Sequence, residues 1–432
     1  SFSPLAWYGP GKYANNAINE DLDPVMVEIA DSVFLERGAS VFEQRATYLD
    51  LNFESYLNYN KKIDDHNIKG TFGTSVFRRK GDVLNGTAFN IPNNSIDFAD
   101  ISANMAQNGY LNNTGSYEFE ERLLSTFLRG EYSYKYKYII SGILRRDGSS
   151  KFGPNNRYGV FPTISAAYVM SEEENFSKNN PDVNLLKYRV SYGVSGNDQI
   201  SNFAYRALLN GEGVYVFDDI ITPGVAIGTA ANPDLKWETT TQFNIGMDVR
   251  FYDNFDFTAN YFVKNTNDLL FNPDVSAIIG SYGPGGYPPI INAGDVSNRG
   301  LELELGYSSD RTKPVGANFN FNFTYLKNEV KSVPEGVEYL PGAGFGVGGN
   351  VATRFEVGFP IGYFFGYETN GIFQTQDEID NAEVTQQGAE VGDLRFVDQN
   401  GDGVINFSDD TDKKMLGSPI PKFTIGSILG FR

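Results

Sequence analysis

The chain has 432 residues with a formal charge of -19, and 41% of its residues are hydrophobic. The excess of Asp and Glu argues against a nucleic-acid surface, which needs clustered Lys and Arg. The chain contains no Cys and one His, His66, which excludes disulfides, thiolate metal sites and a His-based zinc cluster. Its 46 Gly, 26 Tyr and 34 Phe suit strands and loops better than helices.

The first predicted strands form a hairpin around Asp64 and Asp65, because apolar and polar residues alternate on both sides of this turn. The alternating apolar residues are Leu51, Phe53, Leu57 and Tyr59 before the turn and Ile68, Phe72 and Val76 after it. The same period of two predicts further strands at residues 128–134, 136–147, 157–170, 185–195, 236–251, 255–268, 298–307, 316–329 and from 421 onward.

The strand predicted at residues 236–251 has the most regular alternation. Its length corresponds to ~50 Å at about 3.3 Å per residue, far more than a typical soluble strand needs. One face carries Trp237, Phe243, Ile245, Met247 and Val249, and the other carries Glu238, Gln242, Asn244 and Asp248. A strand in a barrel wall shows its apolar face to lipid and its polar face to a wet interior, so we predict that this strand crosses a bilayer.

Short and long connections alternate along the chain. Short turns are predicted near residues 61–65, 135, 253–254 and 308–315, and long loops at 81–120, 196–235, 269–297 and 330–419. Outer-membrane barrels have short periplasmic turns and long outer loops, which orients the chain. Two short helices are expected, one within residues 171–184 and one begun by a capping box of Thr375 and Glu378.

We therefore predict an all-β fold, a transmembrane antiparallel β-barrel segment of about 11 long strands with long extracellular loops. Residues 1–47 are expected to form an extracellular loop region, 48–329 the barrel strands, 330–419 a long extracellular loop, and 420–432 the start of a further strand. An open sheet of 11 long strands leaves exposed edges, and an odd number of strands cannot close a typical bacterial single-chain barrel. Residues 1–10 also show no signal peptide, so we expect the chain to be a piece of a longer exported protein.

Five stretches together resemble the SusC/RagA family of TonB-linked outer-membrane transporters. They are residues 144–162, 192–197, 232–248, 292–305 and 417–426, which follow the order and approximate spacing of that family. The resemblance implies a barrel of about 22 strands around an N-terminal plug. It also implies a SusD-like surface lipoprotein over the outer loops and import energised by TonB. For Arg145, Arg146 and Asp147, it implies a role in stabilising the base of a loop.

The function that follows is TonB-dependent import of a nutrient, an oligosaccharide or a peptide, across the outer membrane of a Gram-negative cell. The expected partners are outer-membrane lipid, TonB acting through a plug domain that this sequence does not contain, and the SusD-like lipoprotein. Carboxylates are plentiful, but none accompanies a nucleophile and an orienting base, so no enzyme activity is predicted. Two alternatives remain: a passive pore or assembly scaffold of the same fold, and a secreted calcium-binding β-rich adhesin.

Residues 398–409 have the spacing of a calcium-binding loop. Oxygen ligands are expected from Asp398, Asn400, Asp402, the Val404 carbonyl, Asn406 through water, and Asp409. Gly403 at the sixth position suits the tight turn, and the terminal Asp resembles a dockerin-type loop more than an EF-hand. The pattern predicts a structural Ca²⁺ that orders an outer loop. The alternative is an ion-free acidic turn.

Four aromatic residues in predicted loops are candidates for contact with a glycan or peptide substrate. They are Trp7, Tyr8, Tyr282 and Tyr287. Loop packing is the alternative role for all four. The glycine-rich residues 342–350 lack the Lys-Ser/Thr that follows a phosphate loop, so we expect a plain loop there.

Overall fold

The computed structural model describes residues 6–8, 27–29, 32–34, 40–89, 101, 113–209, 211–217, 220–272, 288–309, 315–342 and 351–431. Among these residues, no helix is both long enough and apolar enough to cross a membrane.

Short strands precede a series of long ones in the first part of the chain. The strands are β1 (Ala6–Tyr8), β2 (Val27–Ile29), β3 (Ser32–Phe34), β4 (Ser40–Ile63), β5 (His66–Phe89), β6 (Asn113–Tyr134), β7 (Tyr138–Ser149), β8 (Tyr158–Val169) and β9 (Val183–Asn197). A 3₁₀ turn at Met170–Glu172 and helix α1 (Glu174–Asn179) connect β8 to β9, which confirms the short helix expected there.

Long strands continue through the middle of the chain, interrupted by two pairs of shorter ones. The strands are β10 (Gly211–Phe217), β11 (Ile220–Ala226), β12 (Glu238–Phe251), β13 (Phe255–Asn267), β14 (Leu270–Phe271), β15 (Ile291–Asn292), β16 (Asp295–Ser308) and β17 (Ala317–Ser332). β10 and β11 pair as a hairpin inside the segment predicted to be a loop at 196–235.

The last part of the chain is more ordered than the loop predicted at 330–419. Its elements are β18 (Tyr339–Pro341), β19 (Thr353–Glu356), β20 (Tyr363–Tyr367), β21 (Thr369–Ile372), helix α2 (Gln376–Asp380), β22 (Thr385–Gln386), β23 (Leu394–Phe396), β24 (Val404–Ile405), β25 (Lys413–Gly417) and β26 (Phe423–Phe431). The predicted cap of α2 is confirmed, because Thr375 Oγ1 accepts a hydrogen bond from the Glu378 amide at 3.3 Å. Strands β18, β19, β20 and β25 form a four-stranded sheet of their own.

All of the long strands belong to one 12-stranded sheet in the order β1-β4-β5-β6-β7-β8-β9-β12-β13-β16-β17-β26. β1 has only three residues, so the remaining 11 strands confirm the predicted number of long strands. The pairs of β12 with β9 and with β13 are antiparallel, as are the pairs from β13 to β26. Strands β4 and β5 have 24 residues each and extend well beyond the predicted hairpin, so the loop after β5 begins later than expected.

The short turns between long strands have the backbone conformation that tight hairpins require. Asp64 has φ 49°, Lys135 φ 51°, Tyr252 φ 49° and Asp253 φ 56°, all in the left-handed region. Turns with positive φ match the twist of the strands that they join. The predicted turns at 61–65, 135 and 253–254 are therefore confirmed.

The chain divides into two compact units. Unit 1 comprises Ser1–Glu54 and Ser75–Leu124, and unit 2 comprises Ser55–Thr74 and Ser125–Arg432. Unit 1 contains the fully buried Val41 and Val83 and a two-bond ion pair between Arg79 and Asp50, both bonds at 2.8 Å. Unit 2 contains the buried side chains of Phe152, Leu235 and Val330 at the ends of its strands.

Candidate functional site

One face of the sheet in unit 2 carries a connected polar network at its centre. Arg189 on β9 donates to both carboxylate oxygens of Asp248 on β12, at 2.7 and 2.8 Å. The same guanidinium donates to Asn260 Oδ1 on β13 at 2.9 Å, and Thr258 adds a hydrogen bond to Asp248 at 3.3 Å. This network spans three neighbouring strands and fixes charged groups on a face that is suited to water.

The polar network continues along β12, and the strand register extends the polar face to β16. Gln242 donates to Asn244 at 2.8 Å, and Asn244 donates to Ser191 on β9 at 3.1 Å. Thr258 stands opposite both Asp248 and Glu304, which places a carboxylate on each side of it. The even-numbered positions of β12 therefore form the polar face, as predicted.

The opposite face of β9, β12 and β13 is apolar in the rows from Phe243 to Phe251. Phe243 stands beside Tyr192 and Val263, and Ile245 stands beside Val190 and Tyr261. Phe243 and Ile245 are 38% and 51% exposed, although both are large apolar side chains. Val249 keeps its place on the apolar face beside Leu186 and Phe257, although it is only 7% exposed. Exposed apolar rows of this extent are typical of a surface that meets lipid.

Trp237 departs from the predicted alternation. β12 begins at Glu238, so Trp237 precedes the strand, and its side chain is only 7% exposed. Its ring lies 5.0 Å from Phe152 and 5.4 Å from Phe161, centroid to centroid, and its Nε1 donates to the Arg157 carbonyl at 3.2 Å. The predicted lipid-facing position of Trp237 is therefore wrong, because tertiary contacts bury this side chain in an aromatic cluster.

The same cluster joins two of the stretches that carry the family resemblance. Asn156 donates to the Asp234 carbonyl at 2.9 Å, and Gly153 lies so close to the Pro233 carbonyl that an added Cβ would approach it to 3.1 Å. Leu235 is fully buried beside them. Residues 144–162 and 232–248 therefore form one packed unit at the long-loop end of the strands.

Asn292 links that unit to the next stretch of resemblance. Its Nδ2 donates to the carbonyls of Lys236, at 2.8 Å, and Asp268, at 3.0 Å, and its Oδ1 accepts from the Lys236 amide at 2.8 Å. An amide side chain satisfies three backbone groups here, which few other residue types can do. We call this chain of contacts between loop bases, from Asn156 to Asn292, the outer collar.

The bases of the following loops are connected in the same way. Asp295 accepts from the Asp268 amide at 3.2 Å and from the Ser332 hydroxyl at 2.7 Å. Asn328 donates to Asn298 at 2.7 Å and accepts from the Ile361 amide at 2.7 Å. These side chains attach the segment before β20 to the ends of β16 and β17.

Arg145 and Asp147 stabilise a loop base, as the resemblance implied. Arg145 Nε donates to both oxygens of Asp147 at 2.8 Å, and its Nη2 donates to the Ser125 hydroxyl at 2.9 Å. Asp147 is 8% exposed, and the Arg146 guanidinium stacks 3.7 Å from the centre of the Tyr158 ring. These groups are used in packing at the end of β7.

The acidic loop at 398–409 is held by bonds from its own backbone amides. Asp398 accepts from Gly401 at 2.7 Å and from Gly403 at 2.8 Å. These amides, Gly403 foremost, hold the pKa of the Asp398 carboxyl below its usual value. Asn400 accepts from the Asp402 amide at 3.0 Å, and Asp402 accepts from the Val404 amide at 2.9 Å.

The remaining predicted ligands have other partners in the structure. Asp409 accepts from the amide of Thr411 at 2.9 Å and from the Asn406 side chain at 2.6 Å. Hydrogen bonds from Thr411 lower the pKa of Asp409. Within the part of the chain that the structure describes, no three His, Cys, Asp or Glu side chains are grouped so that they could hold a metal ion. The predicted Ca²⁺ stays a prediction.

Asp412 is a residue of this loop that sequence analysis missed. It is fully buried, and its two oxygens accept from the Gln399 amide at 3.1 Å and from the Asn406 amide at 2.7 Å. One carboxylate therefore connects the start of the acidic loop to its ninth position. The signal was the acidic run at 409–412, whose last member lies outside the 12-residue pattern.

A cavity of about 620 Å³ lies beside the acidic loop. Its lining includes the amide side chains of Asn370, Asn381 and Gln386 and the rings of Phe373 and Phe396. Convergent amides on an aromatic floor are suited to sugars and peptide backbones. No local pattern in the sequence predicts this cavity, because its lining comes from five separate short elements.

The aromatic residues proposed to contact substrate are only partly described. Trp7 and Tyr8 lie in β1, where their backbones pair with Val41 and Ser40 of β4. Tyr282 and Tyr287 lie outside the described residues, as do residues 343–350. The substrate roles of these four residues stay predictions.

Comparison with known proteins agrees with this geometry. The profile of the family "TonB dependent receptor-like, beta-barrel" matches residues 7–420. The chain belongs to this family. TonB-dependent receptor P3 of Formosa agariphila is 32% identical over 398 residues, and TonB-dependent receptor SusC of Bacteroides thetaiotaomicron is 29% identical over 312 residues. These alignments cover 90% and 68% of this chain, and 38% and 28% of the two relatives.

The structure of the RagAB peptide transporter has the same fold. It superposes with a TM-score of 0.72 at 23% identity, over 91% of this chain and 40% of the RagAB chain. This TonB-dependent receptor chain therefore spans about two fifths of the length of proteins to which it is similar. The resemblance to the SusC/RagA family is confirmed.

Membership decides several expectations. TonB-dependent receptors are outer-membrane proteins, which confirms the predicted location and excludes the secreted adhesin. The relatives are receptors and transporters rather than enzymes, in agreement with the prediction for this chain.

Proposed function

We propose that this chain forms part of the barrel wall of an outer-membrane importer that takes up an oligosaccharide or a peptide. The observation that carries the proposal is the two-sided wall of unit 2. One face holds the Arg189–Asp248–Asn260 network, and the other is an exposed apolar surface around Ile245. A polar solute crosses such a wall on its wet side, and no covalent chemistry is needed.

The outer collar gives the importer a fixed rim. Asn292 in the outer collar and Asn328 beyond it connect neighbouring loop bases, so the loops are anchored at their bases. A rigid scaffold under outer loops is the arrangement in which loops commonly provide binding specificity. The cavity beside the acidic loop supports an amide-rich or hydroxyl-rich substrate, because its lining offers both hydrogen-bond partners and aromatic rings.

The partners proposed for the parent protein are TonB, acting through a plug domain, and a SusD-like surface lipoprotein above the outer loops. Support comes from family membership and from the shared fold with RagAB, a peptide transporter by its own description. A passive pore or assembly scaffold of the same fold is the competing proposal. Such a pore would have the same barrel wall, and transport through it would require no energy source.

Uptake by intact cells separates the two proposals. Cells that carry the parent protein are given fluorescently labelled peptides or oligosaccharides, with and without TonB, beside cells that lack the parent protein. An importer accumulates label only when both the parent protein and TonB are present. Accumulation that persists without TonB contradicts the importer proposal and supports the passive pore.

Purification of the parent protein in mild detergent tests the partner. We expect mass spectrometry to detect a co-purifying surface lipoprotein and a chain longer than 432 residues. The matched control is the same preparation after an alkaline wash that removes loosely bound proteins. A preparation that contains neither species contradicts the proposed assembly.

The division into residues 1–47, 48–329, 330–419 and 420–432 is proposed on the same basis, although β4 already begins at Ser40. For the acidic loop we propose that Ca²⁺, if bound, has a structural role. The available donors are all oxygens, which is the ligand type that Ca²⁺ prefers.

A further inference from the structure

A cluster of cations lies on the apolar side of the sheet near the end of β16 and β17. Arg299, Lys327 and Lys331 surround one carboxylate, Glu329. Lys327 Nζ is 3.0 Å and Arg299 Nη2 is 3.8 Å from the same oxygen of Glu329, and Lys331 pairs with the other oxygen. We call these four residues the cationic patch.

The strand register defines the side on which the cationic patch lies. Arg299 stands opposite Val263 on β13 and Lys327 on β17. Two residues further along the same face, Leu301 stands opposite Tyr261 and Tyr325. Positions i and i+2 of a strand share a face, so the cationic patch continues the apolar rows. It begins about 7 Å beyond the tyrosine row along the strand.

The depth of the cationic patch in the membrane follows from the row that contains Arg299 and from the connections at the strand ends. Tyrosines in outer-membrane barrels mark the level of the lipid headgroups, because the ring lies in hydrocarbon and the hydroxyl in water. β16 follows a long connection and β17 precedes one, so these ends are on the outer side of the membrane. Arg299 shares a row with Val263, Phe243 and Tyr192, and this row is four residues, ~13 Å along the strand, from the row of Met247 at the middle of the apolar rows. The cationic patch therefore lies among the outer headgroups.

The charges in the patch do not balance. Three cations share one carboxylate, in a chain whose overall charge is -19. The side chains of Arg299, Lys327 and Lys331 are 49%, 46% and 48% exposed, whereas that of Glu329 is 18% exposed. The distance of 3.8 Å from Arg299 to Glu329 exceeds a hydrogen bond. The Arg299 guanidinium therefore keeps donors that can reach another anion.

We propose that the cationic patch binds a phosphate group of an outer-leaflet glycolipid. Arg299 provides a planar fork that matches a phosphate, and Lys327 and Lys331 provide point charges beside it. The acyl chains of the same lipid lie against Leu301, Tyr325 and the apolar rows beyond them. Tight binding therefore needs both the phosphate and the acyl chains of the lipid, because the site combines charged side chains with an apolar surface.

Lys264 provides a matched control. It stands opposite Asn298, one residue from the Val263–Arg299 pair, so its depth in the membrane is almost that of Arg299. Its side chain belongs to the even-numbered face, opposite Gln242, which is the polar side of the wall. Lys264→Gln therefore removes one positive charge at nearly the same depth as Arg299 and leaves the lipid-facing side of the wall unchanged.

The test uses the full-length parent protein, purified from outer membranes and reconstituted in nanodiscs with defined lipid. The probes are bisphosphorylated lipid A, the same lipid without phosphate, and inorganic phosphate, with binding measured by native mass spectrometry. The variants are the double variant Arg299→Gln with Lys327→Gln, the conservative Arg299→Lys, and Lys264→Gln. Heat-modifiable migration on a gel verifies that each barrel is folded.

We expect bisphosphorylated lipid A to bind the double variant about 25-fold more weakly than the unchanged protein, since each cation near a headgroup contributes about fivefold. Lys264→Gln is expected to stay within about twofold of the unchanged protein. Arg299→Lys keeps the charge and loses the planar fork, so its affinity is expected to lie between those of the unchanged protein and the double variant. Equal binding of lipid with and without phosphate to the unchanged protein would overturn the proposal, and this measurement needs no variant. Loss of binding in Lys264→Gln as large as in the double variant would also overturn it. Inorganic phosphate that binds as tightly as the lipid would assign the patch to a soluble anion instead.

Discussion

Replacing Met247 with arginine is the most direct test of the wall. Met247 stands opposite Tyr188 and Ala259 on the apolar face of β12. Phe243 and Phe251 are four residues away in either direction, ~13 Å along the strand. Met247 is therefore at the middle of the apolar rows, where a charge is furthest from water on both sides.

The expected cost of this substitution is about 2–4 kcal/mol, the range for arginine at the midplane of an outer-membrane barrel. The matched control is Thr258→Arg. Thr258 pairs with Asp248, the residue next to Met247, so the two positions share one depth but lie on opposite faces. An arginine at position 258 would stand between Asp248 and Glu304, and we expect its cost to be below about 1 kcal/mol.

Both variants are made in the full-length parent protein and refolded into phospholipid vesicles over a urea series. Folded and unfolded fractions are read from heat-modifiable migration on a gel, which gives the free energy of unfolding. Equal costs for the two substitutions, or a larger cost at position 258, would refute the assignment of the faces. A register error of one residue would produce that reversal.

Three further predictions concern the outer side. Trp237→Ala should cost about 3–5 kcal/mol of unfolding free energy because it leaves a cavity in a buried aromatic cluster, whereas Trp237→Phe should cost clearly less. Similar costs for the two variants in urea unfolding would contradict this prediction. Asp402→Ala should speed hydrogen exchange in residues 393–412 and leave exchange in the long strands unchanged, and faster exchange in β12 would argue against a local role. If Ca²⁺ binds, added Ca²⁺ should slow exchange in this loop only in the unchanged protein. The lowered pKa of Asp398 means that its contribution to loop stability is present above its ordinary pKa of 3.8 and is lost as the pH falls through the lower folded value, so loop exchange should rise below about pH 4. Asp398→Asn should weaken that dependence and leave the part that comes from Asp409, and a loop that opens above pH 5 would contradict the prediction.

The alternation of apolar and polar residues was enough to predict the long strands, their turns and their two faces. This follows from geometry, because successive side chains of a strand point to opposite sides. The polar set of Gln242, Asn244 and Asp248 shares one face of β12, as predicted. Strand ends were predicted less well, since β4 and β5 continue through residues that do not alternate cleanly.

Trp237 shows where pattern alone fails. It fits the period of β12 and has the side chain expected at a membrane surface, yet Phe152 and Phe161 bury it. These two residues are far from it in sequence, so no local window contains the reason. The cavity beside the acidic loop has the same origin, because separate short elements meet to form it.

The sequence by itself determined that the chain forms a membrane-barrel wall and how many long strands it contains, because both depend on the local periodicity of apolar and polar residues. Only the tertiary structure decided which polar side chains connect the loops. Asn292 and Asn328 act by satisfying backbone groups of distant segments, and Asp412 acts by satisfying backbone groups within its own loop. A buried backbone group needs a partner wherever the fold brings one, and its position in the sequence does not reveal which residue that is.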